Sequence, residues 1–107
     1  MREHAFHRLS AFRVRRENAR EFELIFGRRG AWEALLAGAP GFVRSELWRD
    51  AEDRTLYLTS DLWRSRREFD AFRRRCSAEV AKVEERIARL GQLEMLLGQE
   101  RVRKSVA

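Results

Sequence analysis

Large aromatic side chains stand near the ends of several predicted elements, where they can wall a small apolar pocket. Trp32 follows a glycine at the start of a helical pattern, and Trp63 ends a strand pattern. Pockets lined by aromatic rings suit flat aromatic ligands. Ordinary core packing is the alternative interpretation of the same side chains. The candidate ligand-binding aromatics are Phe26, Trp32, Trp63, Phe69 and Phe72.

Two side chains are candidates for proton transfer. His7 has the residue type most often used as a general base, and it shares strand parity with Leu9, which would turn it toward a buried face. Asp61 precedes Trp63 by two residues, so both point to the same side of a strand, where Asp61 can hold an arginine or assist a proton transfer. A partly exposed histidine and an exposed or salt-bridged carboxylate are the alternative interpretations.

Sequence motifs for other kinds of chemistry are missing. The chain has no phosphate loop, dinucleotide fingerprint or nucleophile elbow. His4 and His7 give no recognisable metal-ligand spacing, and the single Cys76 lies on an apolar helical face as a small hydrophobe. We therefore expect neither a metal nor a cofactor.

Length and charge limit the class of protein. The 107 residues fit a single domain, which we place over 1–98, with a basic and frayed tail over 99–107. The net charge of +6 comes from arginines that alternate with glutamates on predicted helices, which indicates a solvated surface and no nucleic-acid partner. No apolar stretch approaches a membrane span, so no membrane is expected, and a single cysteine fits a cytoplasmic location.

Hydrophobic periodicity predicts the element order β-α-β-β-α-α-β. Strands are predicted over 4–14, 42–49, 55–63 and around 93–97, and the first helical segment restarts at Ala31. This order is the ferredoxin-like arrangement of an α+β protein, with a four-stranded antiparallel sheet and its second helix broken in two.

Helix starts carry recognisable capping residues. Asn18 with Glu21 predicts a capping box at the first helix, and Ser65 with Glu68 predicts a second one. Ser77 is predicted to cap the last helix.

The sheet of such a fold carries its helices on one face, so the opposite face needs a cover. We expect Tyr57, and either Leu9 or Phe12, on that uncovered face. A second copy of the same sheet is the simplest cover, and this predicts a homodimer.

A series of different short motifs runs along the chain. They are Phe12-Arg13-Val14, Phe22-Glu23, Phe26-Gly27, Gly30-Ala31-Trp32, Pro40-Gly41-Phe42, Glu46-Leu47, Tyr57-Leu58-Thr59, and Trp63 followed by Ser65, Phe69, Phe72, Glu94 and Gly98. With them the chain resembles the antibiotic biosynthesis monooxygenase (ABM) family of dimeric α+β barrels, from Phe6 to Gly98. The resemblance implies a homodimer with an apolar pocket in each subunit. It also implies oxidation of a small aromatic, quinol-type molecule by O2 without metal or flavin.

Two positions depart from what the resemblance implies. Oxygenases of this family that make aromatic polyketide quinones have Asn and Tyr where this chain has Thr59 and Phe69. We therefore add Thr59 to the substrate-binding candidates, which already include Phe69. Haem-degrading relatives carry a ligand histidine where this chain has Lys82. Three interpretations follow: a cofactor-independent monooxygenase, a non-catalytic binding protein of the same fold, and a haem-binding relative.

Overall fold

A computed structural model describes residues 4–101 as an α+β protein of ferredoxin-like topology, as predicted. Its four strands form one antiparallel sheet in the order β2-β3-β1-β4. The strands are β1 (Phe6–Val14), β2 (Phe42–Arg49), β3 (Leu56–Trp63) and β4 (Gly91–Glu100). β1 is flanked by β3 and β4, and residues on both of its faces are buried or half-buried.

Four α-helices connect the strands. They are α1 (Ala19–Phe26), which follows a short 3-10 helix at Arg16–Asn18, α2 (Ala31–Leu36), α3 (Arg66–Arg75) and α4 (Ser77–Leu90). The restart at Ala31 and the division of the last helix in two are therefore confirmed. None of the helices within residues 4–101 is long and apolar enough to cross a membrane.

The helix caps follow the prediction at one start and depart from it at two. Ser65 Oγ accepts a hydrogen bond from the backbone N–H of Glu68 at 3.2 Å, as an N-cap should. Asn18 makes no cap bond, because it ends the 3-10 helix with helical backbone angles (φ −101°, ψ −5°) where a capping residue is normally extended. Its side-chain amide donates to the carbonyl of Leu90 at 3.2 Å. Ser77 is the first residue of α4, and the N-cap position is Cys76.

Alternation along the strands places one row of side chains under the helices. Phe6 pairs with Trp63, Arg8 with Asp61, and Phe12 with Tyr57 across β1 and β3, and all six point to the helical side. Phenylalanines of α1 and α3 meet this row to form the core. Arg8 and Asp61 thus lie in the middle of an otherwise aromatic layer.

Tyr57 was predicted on the uncovered face of the sheet, and this prediction is wrong. The prediction of Leu9 on that face is confirmed. Tyr57 is fully buried, and its ring centroid lies 4.9 Å from that of Phe22 on α1. The strand carries apolar residues on both parities, so hydrophobicity alone did not distinguish its two faces. Leu9 lies opposite Ser60 and Leu97 on the face without helices.

The last strand is longer than predicted. Gln99 and Glu100 pair with His7 and Phe6, so the frayed tail does not begin at residue 99. The remainder of the predicted tail, 102–107, lies outside the described residues.

Candidate functional site

A cavity of about 200 Å³ lies between the sheet and the helices. Most of its buried lining comes from β1, β3, α1, α2 and α3, and its exposed lining residues belong to α4 and β4. The cavity therefore opens between α4 and β4. Its lining consists of Arg8, Ser10, Phe12, Phe26, Trp32, Thr59, Asp61, Phe69, Arg73, Glu84, Ile87, Ala88, Gly91, Leu93 and Leu96.

Aromatic rings from separate elements form the inner wall. The Phe26 ring lies 5.8 Å from Phe12 and 6.2 Å from Trp32, measured between centroids. Gly30 positions Trp32, because a Cβ at residue 30 would lie only 2.2 Å from the carbonyl oxygen of Leu24. A glycine is therefore needed for α2 to begin directly against the end of α1.

Asp61 brings a carboxylate into this wall. It is only 5% exposed, and its Oδ2 accepts a hydrogen bond from the indole N–H of Trp32 at 2.9 Å. Its Oδ1 is buried without a hydrogen-bond partner among the described residues. Asp61 is itself a lining residue of the cavity, and Ser45 of β2 is its cross-strand neighbour on the other side.

The surroundings of Asp61 favour its protonated form. Burial raises the pKa of the Asp61 carboxyl above its ordinary value, because desolvation disfavours the charged form. The nearby Ser45 hydroxyl, the Trp32 N–H and the positive charge of Arg8 act against this rise and only partly offset it. A carboxylate with a raised pKa is a stronger proton acceptor than an exposed aspartate.

Arg8 lies directly across the strand pair from Asp61. Its guanidinium carbon stands 4.9 Å from the centroid of the Phe69 ring, which is a cation–π contact. Burial and then the like charge of Arg73 lower the pKa of Arg8, whereas Glu84 and Asp61 raise it. Within residues 4–101, no hydrogen bond or salt bridge holds the Arg8 guanidinium.

The mouth of the cavity combines an ion pair with apolar side chains. Arg73 of α3 donates to Glu84 of α4 at 3.3 Å, so its charge is neutralised locally. Leu93 and Leu96 of β4 are 48% and 45% exposed beside it. An apolar ligand entering here would cover these two leucines.

The predicted site residues divide into three groups. The first group lines the cavity and consists of Phe26, Trp32, Phe69, Thr59 and Asp61.

Two predicted aromatics lie one layer behind the cavity wall. Trp63 packs against Phe69 and Phe72 with centroid distances of 5.6 and 5.2 Å, and neither Trp63 nor Phe72 lines the cavity. The indole N–H of Trp63 is buried without a partner among the described residues.

His7 lies on the opposite face of the sheet from the cavity. It lines a shallow groove there with Leu9, Trp48 and Leu58. The prediction that His7 faces the same side as Leu9 agrees with this placement, but it separates His7 from Asp61 and the aromatic wall.

Sequence reasoning missed Arg8 as a site residue. The sequence pattern could have identified it, because Arg8 alternates with Phe6 and Phe12 along the strand. Arg8 is therefore a charged residue at an inward-facing position. Charged residues at such positions are rare unless they are paired or functional. Arg73 and Glu84 had no comparable signal, since both belong to charge-rich helices.

We also searched the part of the chain that the structure describes for clusters of side chains that could bind a metal ion. No three side chains of His, Cys, Asp or Glu come together there in a way that could hold an ion.

Comparison with known protein families shows to which family the chain belongs. The family model for antibiotic biosynthesis monooxygenase matches residues 5–88. The chain belongs to the antibiotic biosynthesis monooxygenase family. The matched range contains most of the cavity wall, including Arg8, Trp32 and Asp61, and it ends before β4.

Solved structures share the ABM fold over nearly the whole chain. A mutant form of SnoaB, a cofactor-independent oxygenase from Streptomyces nogalater, is 25% identical with a TM-score of 0.69, covering 95% of each chain. MupZ from Pseudomonas fluorescens is 7% identical with a TM-score of 0.72, over 90% of this chain and 71% of its own. A conserved protein from Methanosarcina mazei is 12% identical with a TM-score of 0.68, over 94% of each chain. Comparison with curated proteins finds no match.

Proposed function

We propose that this ABM protein is a cofactor-independent monooxygenase that oxidises a small phenolic or quinol-type molecule with O2 in the cavity between sheet and helices. The observation that carries the proposal is the buried Asp61 carboxyl, which lines an aromatic cavity and has a pKa raised by burial. SnoaB, with its similar fold at 25% identity, supports the reaction class.

The proposed chemistry uses the electrons of the substrate itself. A phenolate is electron-rich enough to pass an electron to O2, whereas a neutral phenol is a much poorer donor. Overall, a phenol and one O2 give a quinone and one water, so the atoms balance and no external reductant is consumed. The protein must therefore remove the phenolic proton, exclude bulk water and hold the ring beside O2.

Asp61 is the proposed acceptor of the phenolic proton. Asp61 lines the cavity, and Trp32 holds its Oδ2 in place at 2.9 Å. The raised pKa of the carboxyl brings it closer to that of a phenol, which makes the transfer less unfavourable. Once the oxygen has been added, the same carboxyl can return the proton to the departing water.

The departures at Thr59 and Phe69 fit this assignment. Both residues line the cavity beside Asp61, so the positions are inside the proposed site although their side chains differ from those the family resemblance implies. Phe69 supplies a ring surface without a hydroxyl, and Thr59 is buried with a short hydroxyl. The proton-accepting role therefore falls on Asp61.

Oxygen uptake with a panel of quinols and polyphenols tests the proposal. We expect uptake above the uncatalysed autoxidation rate for at least one member, and a loss of roughly 100-fold or more in Asp61→Asn. Asp70→Asn on the outer side of α3 is the matched control and should keep the wild-type rate. Uptake that never exceeds autoxidation with any member would overturn the proposal.

A non-catalytic binding protein is the second candidate function, and the replacement of Asn and Tyr by Thr59 and Phe69 favours it. The two candidates give different results in one pair of measurements. A binding protein would be thermally stabilised by aromatic ligands without consuming oxygen. An oxygenase would show both effects.

Two further parts of the proposal concern assembly and location. The open face of the sheet, which we define as Leu9, Trp48, Leu58, Met95 and Leu97, carries large apolar side chains, and we propose that a second copy covers it. We keep the cytoplasm as the proposed location because the single cysteine, Cys76, requires no oxidising compartment.

A further inference from the structure

The cavity contains a positive charge for which the described residues supply no bonded counter-ion. Arg8 is partly buried and carries five N–H donors, and within residues 4–101 its guanidinium contacts the Phe69 ring without a hydrogen bond or ion pair. A cation–π contact leaves the in-plane donors of the guanidinium unused. These donors are therefore available for a bidentate, charge-assisted pair with a carboxylate in the cavity.

We propose that the natural ligand carries an anionic group bound by Arg8 and a hydroxyl bound by Asp61, and is therefore a single-ring hydroxyaryl carboxylate. This inference deepens the proposed function, since it assigns a substrate class to the same cavity. It adds the Arg8 contact, which the oxidation chemistry alone does not require.

The balance of charge around the cavity supports an anion. Arg73 and Glu84 neutralise each other through their ion pair. The two groups left are Arg8 and Asp61, which are cross-strand neighbours without a salt bridge between them among the described residues. Arg8 is therefore a cation of the cavity wall that can form a bidentate, charge-assisted pair with a carboxylate.

The relative positions of Arg8 and Asp61 suit two substituents on one ring. They are direct cross-strand neighbours, so their Cβ atoms are separated by roughly 5 Å. Both side chains enter the cavity from the sheet, while the rings of Trp32 and Phe69 provide flat walls. One aromatic ring between these walls can present a hydroxyl to Asp61 and a carboxylate to Arg8.

The size of the cavity selects a small ring system. An apolar cavity of roughly 150 Å³ takes one benzene ring. The cavity here is about 200 Å³, which leaves room for one ring and its substituents. Larger fused systems would have to extend through the mouth past Leu93 and Leu96.

Binding measurements with matched ligand pairs test this inference independently of turnover. The probes are the three monohydroxybenzoates and 2,5-dihydroxybenzoate, each compared with its neutral benzamide by anaerobic titration calorimetry. We expect at least one acid to bind the wild-type protein roughly tenfold or more tightly than its amide, because a hydrogen bond to a charged group contributes at least that factor.

Substitutions at Arg8 show whether that preference comes from the proposed contact. Arg8→Gln should abolish the preference for the acid, and Arg8→Lys should keep part of it, since the charge remains but the bidentate geometry is lost. Arg74→Gln on the exposed surface of α3 changes net charge equally and should keep the full preference. Circular dichroism confirms that each variant is folded, and Arg8→Lys serves as the test if Arg8→Gln does not fold.

Each outcome assigns failure to one proposal. Equal binding of acids and amides by the wild-type protein, absence of binding by every probe, or a preference that survives Arg8→Gln overturns the anionic ligand. Oxygen uptake on neutral quinols together with equal binding would leave the monooxygenase proposal intact and overturn this one. Preference for an acid without oxygen uptake would support this inference and count against catalysis.

Discussion

The indole N–H of Trp32 donates to Oδ2 of Asp61 across 2.9 Å and joins the start of α2 to β3 inside the core. The bond connects residues 29 positions apart, and both are nearly fully buried. The other oxygen, Oδ1, is buried, and Ser45 of β2 is the cross-strand neighbour of Asp61. The bond therefore fixes the orientation of the proposed proton acceptor.

Removal of the Trp32 donor should destabilise the protein through this carboxylate. We expect Trp32→Phe to lower the free energy of unfolding by about 1–3 kcal/mol, because it leaves a second buried oxygen unpaired. A double-mutant cycle with Asp61→Leu in urea unfolding isolates the contact from the lost ring volume. The two substitutions should be strongly non-additive, and purely additive effects would contradict the contact.

Asp61 should make stability depend on pH in a defined direction. Its folded-state pKa is raised by burial, so the native state holds the proton more tightly than the unfolded state does. Stability relative to Asp61→Asn is therefore highest below the unfolded pKa of aspartate. It falls as the pH rises through the raised folded-state pKa.

Thermal melts of wild type and Asp61→Asn from pH 4 to pH 8 measure this effect. The difference in Tm should shift in favour of Asp61→Asn as the pH rises. Arg8, Arg73 and Glu84 also face the cavity, but they are common to both proteins and cancel in the difference. A difference that is constant across the range would show that Asp61 titrates normally.

The sequence predicted elements and strand parity better than long-range contacts. Trp63 and Asp61 were assigned to one side of β3 because alternation is local, and the structure agrees. The bond between Asp61 and Trp32 was not predictable, since it depends on how α2 packs against the sheet. Trp32 was proposed as a ligand-binding residue, and the structure adds a hydrogen-bonding role.

The helix starts show why similar local patterns differ in outcome. Ser65 and Asn18 had the same capping pattern, but Ser65 has the extended backbone of a capping residue, whereas Asn18 is part of a 3-10 helix and has helical backbone angles. The inward position of Arg8 was visible in the sequence. Its lack of a bonded partner among the described residues depends on three-dimensional placement.

Ser65 should therefore contribute to stability where Ser77 does not. We expect Ser65→Ala to destabilise the protein by about 1 kcal/mol, because the backbone N–H of Glu68 loses its acceptor at 3.2 Å. Ser77→Ala is the matched control, since Ser77 is exposed and is not the N-cap of α4. Urea unfolding measures both, and equal losses would contradict the assigned caps.

Tyr57 should titrate at unusually high pH. Burial and then its hydrogen bond to Glu23 at 2.5 Å raise the pKa of Tyr57 to about 12. It is the only tyrosine in the chain, so absorbance at 295 nm reports this group alone.

The native protein should show a tyrosine midpoint near 12, and the protein in denaturant should show one near 10. Because the unfolded state loses the proton first, stability should fall as the pH rises above 10. Tyr57→Phe removes the signal and is the control. A native midpoint near 10 would place Tyr57 in water and contradict its burial.

The open face of the sheet provides the test of the proposed dimer. Trp48 and Leu58 are 55% and 44% exposed in neighbouring strands, where each is the other's cross-strand partner. A charge placed between two packed sheets would be buried without a partner, so Leu58→Glu should convert the dimer to a monomer.

Leu24→Glu on α1 is the matched control, since Leu24 is 64% exposed on a helix. Sedimentation at micromolar concentration should give twice the chain mass for wild type and Leu24→Glu and the chain mass for Leu58→Glu. A wild-type monomer, or equal dimerisation of both variants, would mean that a second sheet does not cover this face.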